Sequence, residues 1–150
     1  MNISIIGAGN IGATLARKLA AAGHTLRLAN SRGPNSIQTL AEKGQPAGQP
    51  DRLAIPVAGD DPQAKAVAMT LVDATGFDAV DAGSLSDSWR QQPGTPAYCT
   101  ELSCPALVTA LQAADRDRTP HNRDALINEF MSAGELTHAA IVARNRAITA

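Results

Sequence analysis

The chain has 150 residues, a formal net charge of −1, 44% apolar residues and 18% charged ones. That length supports a single core burying about 68% of the surface of the unfolded chain and is too short for two ordinary domains. Acidic and basic residues are interspersed, which excludes a nucleic-acid footprint or a patch for an acidic membrane.

No run approaches a membrane span. The apolar N-terminal run is too short for a secretion signal and has no basic flank, so the expected compartment is the cytoplasm. Cys99 and Cys104, in Cys-Thr-Glu-Leu-Ser-Cys, match neither a zinc knuckle nor a thioredoxin-type pair and are read as reduced thiols. His24, His121 and His138 have no carboxylate or cysteine at metal-ligand spacing, and no metal site is expected.

In chain order, Met1 to Ile6 is a short apolar strand followed at once by Gly7-Ala8-Gly9-Asn10-Ile11-Gly12. A stretch of helical periodicity then runs from Asn10 to Ala22, with Ile11, Leu15, Leu19 and Ala22 on one face and Gly23 at the left-handed cap. A G-x-G-x-x-G between strand and helix is a dinucleotide fingerprint. Gly7 makes the tight turn, Gly9 lets the backbone approach a pyrophosphate, and Gly12 lets the helix pack closely on the strand. The pyrophosphate then rests on the free N–H groups and positive dipole end of that helix.

His24 to Ala29 alternates as a half-buried strand and ends at Asn30-Ser31-Arg32. An NAD site places a carboxylate at this position to accept from the ribose 2′-hydroxyl. With Asn30 there, a 2′-phosphate meets no repulsion, and Ser31 and Arg32 offer a hydroxyl and a guanidinium to bind it. The cofactor expected is therefore NADP(H).

Pro34 to about Lys43 reads as a weaker helix, and Gly44 to Pro50 as a linker. Leu53 to Ala58 is a third strand whose Pro56 argues for an edge or a bulge. Asp60 or Asp61 caps a helix with Pro62 at its first position and Ala64, Val67, Ala68, Leu71 and Val72 as its buried stripe; Gly76 ends it. Phe77 to Ala82 is a fourth strand. A polar loop follows, holding Ser84, Asp87, Ser88 and the one tryptophan, Trp89. Helices then form around Leu107, Val108 and Leu111, from Thr119-Pro120 through Leu126, Ile127, Phe130 and Met131, and around Ile141 and Val142.

The pattern predicts an α/β fold, a shortened Rossmann-like parallel sheet of about four strands with C-terminal helices. Residues 1–150 are read as one NADP(H)-binding domain. Within it, 1–43 form a dinucleotide-binding βαβ unit, 51–83 a second βαβ unit and 100–150 a helical tail. A strand order such as 2-1-3-4 leaves a crevice beside the first strand. Because that strand is apolar on both faces and few helices remain to cover it, a homodimer is expected.

The opening run with Gly7 to Gly12, the Ala29-Asn30-Ser31-Arg32-Gly33-Pro34 segment, Pro56-Val57-Ala58-Gly59-Asp60-Asp61 and Phe77-Asp78-Ala79-Val80-Asp81-Ala82-Gly83 together resemble the NADP reductases that use a deazaflavin, coenzyme F420, and their NADP-oxidoreductase-like relatives. Trp89-Arg90-Gln91-Gln92-Pro93-Gly94-Thr95-Pro96-Ala97-Tyr98 is similar to the C-terminal part of the same group. The resemblance implies that Gly7, Gly9, Asn10, Ile11 and Gly12 hold the pyrophosphate and that Ser31 and Arg32 hold the 2′-phosphate. It also implies further strands between the two blocks, carrying the loops around the nicotinamide and its acceptor. Here only Gly33 to Arg52 fills that gap, with no apolar run long enough for another buried strand.

Two readings stay open. One is a reductase moving hydride between NADPH and a flavin, a deazaflavin or another small-molecule acceptor as second substrate, with no particular catalytic residue legible. The other is a non-catalytic NADP(H)-binding module.

Overall fold

The computed structural model describes residues 1–6, 10–29, 52–134 and 137–149. Its elements in chain order are β1 (Asn2–Ile6), α1 (Asn10–Ala21), β2 (Thr25–Ala29), β3 (Ala54–Val57), α2 (Pro62–Ala74), β4 (Asp78–Asp81), a 3-10 segment (Leu85–Gln91), α3 (Cys104–Gln112), α4 (Arg118–Ser132) and α5 (His138–Ile148). The architecture is mixed α/β, with short parallel sheets followed by C-terminal helices, consistent with a shortened Rossmann-like fold. The helix expected from Pro34 and the linker that follows it lie outside the described residues. Two compact units make up the chain: Met1–Arg52 with Thr70–Phe77, and Leu53–Met69 with Asp78–Ala150.

In the first unit β1 and β2 run parallel, paired from Asn2↔Thr25 to Ile6↔Ala29. The period of two sorts the side chains: Ile3, Ile5, Leu26 and Leu28 are half-buried, whereas Asn2, Ser4, Thr25 and Arg27 are exposed. Helix α1 packs on both strands. Its buried residues are Ala13, Ala16 and Leu19, while Ile11 is 79% and Leu15 41% exposed. The expected face of Ile11, Leu15, Leu19 and Ala22 is thus corrected to one built mainly of small side chains, because alanines beside Gly12 allow a closer approach to the strands than isoleucine and leucine would. The helix ends at Gly23, whose φ of +82° is the left-handed cap. The cap is closed by Gly23 N–H donating to Ala20 O at 3.0 Å and His24 N–H to Leu19 O at 3.1 Å. Elsewhere in this unit Arg52 pairs with Asp73 at 2.8 Å and donates to the carbonyl of Phe77, and Lys18 Nζ lies 5.0 Å from the centre of the Phe77 ring.

In the second unit β3 and β4 are parallel, paired from Ala54↔Asp78 to Val57↔Asp81. Leu53 O and Val57 O accept from Asp78 N–H (3.0 Å) and Ala82 N–H (2.9 Å), so the odd-numbered residues of β3 face β4. Ala54 N–H points the other way and donates to Leu102 O at 2.8 Å. Pro56, two residues on, therefore stands on the side away from β4, where its missing N–H costs no ladder bond. Among the described residues the ladders are two pairs, β1–β2 and β3–β4. The free side of β3 is occupied by Leu102 and lacks a donor at Pro56.

The core of this unit is Ala54, Val80, Leu107 and Leu111, with Ala82, Ala97, Leu102 and Cys104 against it. Helix α3 buries Leu107, Ala110 and Leu111 and leaves Val108 at its rim. No residue of α2 is fully buried, and Ala64 and Val67 are exposed, which corrects the expected stripe to Ala68, Leu71 and Val72, all half-buried. Helix α4 buries Thr119, Asn122 and Leu126, not Ile127 or Met131. Asn122 Nδ2 donates to Gly94 O at 3.2 Å and so turns that face toward the 92–96 loop. Arg146 of α5 donates from Nε to Thr100 O at 2.8 Å and from Nη2 to Glu101 O at 3.0 Å, fastening the last helix to the segment before α3.

Candidate functional site

The first candidate site is the end of the β1–β2 pair. Parallel pairing in register sets Ile6 opposite Ala29, so the chain leaves both strands at the same end. One exit leads through Gly7 and Gly9 into α1, and the other leads into Asn30, Ser31 and Arg32. Gly7, Gly9, Asn30, Ser31 and Arg32 lie outside the described residues. Asn10, Ile11 and Gly12 form the first turn of α1, which begins after three residues that follow the end of β1. Gly12 is half-buried next to the buried Ala13, matching the close helix–strand approach for which a third glycine is required. No acidic residue stands in that first turn, so nothing there opposes an anion at the helix's positive end.

A second concentration of polar groups follows the ends of β3 and β4. Asp61 Oδ1 accepts from Gln63 N–H (2.8 Å) and Ala64 N–H (2.9 Å) and caps α2. Asp60 Oδ1 accepts from Leu85 N–H at 2.9 Å. The tandem carboxylates are thus structural, one closing a helix and the other holding the start of the 3-10 segment. Lys65 Nζ reaches Asp81 Oδ1 at 2.7 Å and Gly83 O at 3.2 Å, and Gly83 N–H donates to the same Asp81 oxygen at 2.9 Å. The Lys65 hydrogen bond, helped by the Gly83 N–H, holds the Asp81 carboxyl below its ordinary range. Asp87 is held low chiefly by the Ser84 hydroxyl, which donates to its Oδ2 at 2.8 Å. Ser84 and Asp87, read from the sequence as part of a polar loop, satisfy one another.

A cleft of about 290 Å³ opens beside β4, lined by Val80, Ala82, Val108 and Leu111 with Asp81, Arg90 and Gln112. Arg90 lies with its guanidinium carbon 4.6 Å from the centre of the Trp89 ring and donates to Leu111 O at 3.1 Å. Arg116 stacks on the same indole at 4.8 Å. Sequence reading marked Trp89 but not the two arginines around it. Arg90 adjoins it in the chain and was legible as a neighbour, whereas Arg116 arrives only through the path of α3.

The remaining candidates resolve into local roles. The Met1 ammonium lies 3.3 Å from His24 Nδ1, and His138 pairs with Glu101. Cys99 is exposed and Cys104 half-buried, both with free thiols. Burial, with Cys99 adding to it, pushes the Tyr98 phenol above its ordinary value, so it stays protonated at neutral pH. Among the described residues no group of three or more histidines, cysteines or acids gathers as metal ligands, and no helix is long and apolar enough to cross a membrane.

Comparison with known proteins adds three findings. The sequence profile of the family described as NADP oxidoreductase coenzyme F420-dependent matches residues 2–87, from β1 into the 3-10 segment. Protein YjhV of Escherichia coli (strain K12) is 43% identical over 104 residues, which is 69% of this chain and 76% of that protein. No solved structure matches the chain significantly.

Proposed function

The chain belongs to the coenzyme F420-dependent NADP oxidoreductase family, and from that premise we propose that it binds NADP(H) at the shared end of β1 and β2 and transfers hydride to or from a flavin, a deazaflavin or another small acceptor. One observation carries the reading. The in-register parallel pair aligns Ile6 with Ala29, so the glycine turn and the Asn30-Ser31-Arg32 segment start from adjacent strand ends. Gly7, Gly9, Asn10, Ile11 and Gly12 would hold the pyrophosphate on the α1 N-terminus. Ser31 and Arg32 would hold the 2′-phosphate, with Asn30 offering no repelling charge.

When bound, the nicotinamide supplies the hydride chemistry. The protein binds and orients, so the reading needs no catalytic acid or base. A second reading, a dinucleotide-binding module without turnover, is favoured by the exposure of Asn2, Ser4, Thr25 and Arg27 on one face of the β1–β2 pair, because a Rossmann sheet is covered on both faces. The proposal includes a homodimer, supported by apolar side chains left exposed on α4, with Ile127 at 51% and Met131 at 82%.

Calorimetric titration with NADPH and NADH tests the binding. Wild-type protein is expected to favour NADPH, and Arg32→Ala to lose about tenfold or more of that preference, as removal of a charged hydrogen-bond donor requires. Equal affinity for the two nucleotides, or no heat with either, overturns the proposal. Oxidation of NADPH across a panel of flavins and deazaflavins then separates the reductase from the module.

A further inference from the structure

The cleft beside β4 is built on one wall from Val80 and Ala82 and on the other from Val108 and Leu111. Into this apolar seat Arg90 brings a guanidinium that is already fixed. Its Cζ lies over the Trp89 ring, 4.6 Å from the ring centre, and Nη1 donates to Leu111 O at 3.1 Å, its one hydrogen bond among the described residues. A guanidinium has five N–H donors, so most of its fork is unmet, and none of its nitrogens is buried without a partner. Gln112 adds an amide at the same rim.

Two carboxylates oppose an anion here: Asp81 on the lining, and Asp87, which lies in the field of Arg90 and Arg116 and has its Oδ2 taken by the Ser84 hydroxyl at 2.8 Å. Asp81 Oδ1 is already taken by Lys65 Nζ at 2.7 Å and Gly83 N–H at 2.9 Å.

We propose that this cleft binds a small organic monocarboxylate, its carboxylate on the Arg90 fork and its alkyl chain against Val80, Ala82, Val108 and Leu111. A planar fork matches a carboxylate bidentately, and an arginine held by stacking loses little side-chain entropy on binding. A single guanidinium on the lining matches a single carboxylate. A volume of about 290 Å³, at roughly 30 Å³ per water-sized group, admits roughly eight to ten non-hydrogen atoms. No dinucleotide takes part in this recognition.

The test follows backbone amide signals of the full chain, without any nucleotide, during titration with hexanoate, 1-hexanol and inorganic phosphate. Hexanoate is expected to shift Val80, Ala82, Leu111 and Gln112 saturably, with a dissociation constant of about a millimolar or tighter. Hexanol, which lacks the charge, and phosphate, which lacks the chain, are expected to bind tenfold or more weakly. Arg90→Gln should weaken hexanoate by at least tenfold while the remaining amide signals stay in place. Should that variant fail to fold, Val108→Asp sets a carboxylate at an already exposed rim position and should give the same loss with Arg90 intact. Equal binding of hexanol or of phosphate, shifts confined to other residues, or undiminished affinity in the variant that folds would overturn the proposal. Because nucleotide is absent, none of these outcomes bears on NADP(H) binding.

Discussion

Gly94, with φ +89°, is packed against the first turns of α4. A Cβ there would lie 2.5 Å from Thr119 O and 2.6 Å from Arg123 N, both rigid backbone atoms. Gly94→Ala therefore combines a left-handed conformation with a collision that no side-chain movement relieves. It should cost on the order of 2–4 kcal/mol, measured as a lower midpoint in urea with unchanged slope. In the sequence Gly94 falls within the polar loop after β4; the close approach depends on α4, which begins more than twenty residues later. Leu107, 2% exposed in the core of the second unit, is the complementary case, since its apolar periodicity in α3 was legible directly. Leu107→Ala should cost about 2–5 kcal/mol, again read from the urea midpoint.

Among the elements, α2 behaved as its sequence dictates at the start and departed from it along its length. Asp61-Pro62 fixed the cap, and Gly76 follows the end. The buried stripe could not be read so simply, because both α2 and α1 carry apolar or small residues around more than one face, and the partner surface chooses among them. The cap region also sets a pH dependence. Asp81 is held below its ordinary value of 3.8 by Lys65 and the Gly83 N–H, so it binds protons less readily folded than unfolded. Its contribution is fully present above that value and is lost as pH falls below it. The melting temperature should hold steady from pH 7 to about 5 and drop toward pH 3. Lys65→Met should be less stable at pH 7 and show a smaller drop. Circular dichroism melts across that range decide it, and an equal acid loss in both proteins would remove the pair from the account.

At the scale of the molecule, α4 leaves the apolar side chains of Ile127 and Met131 exposed. A homodimer through the C-terminal helices is the expected consequence. Multi-angle light scattering should return about twice the 15.5 kDa chain mass, and Met131→Glu should shift the mass toward the monomer. A monomer mass at high concentration refutes it.

The sequence by itself determined the strands, the caps and the opening strand–glycine–helix unit, because each rests on contacts or backbone conformations only a few residues apart. It also carried the family resemblance, which the profile match over residues 2–87 bears out. Only the tertiary structure decided which helix faces are buried, that β3 turns Pro56 away from β4, and that Arg90 and Arg116 meet on Trp89. Those outcomes depend on which surfaces distant segments present to one another, and a pattern of local periodicity holds no record of that.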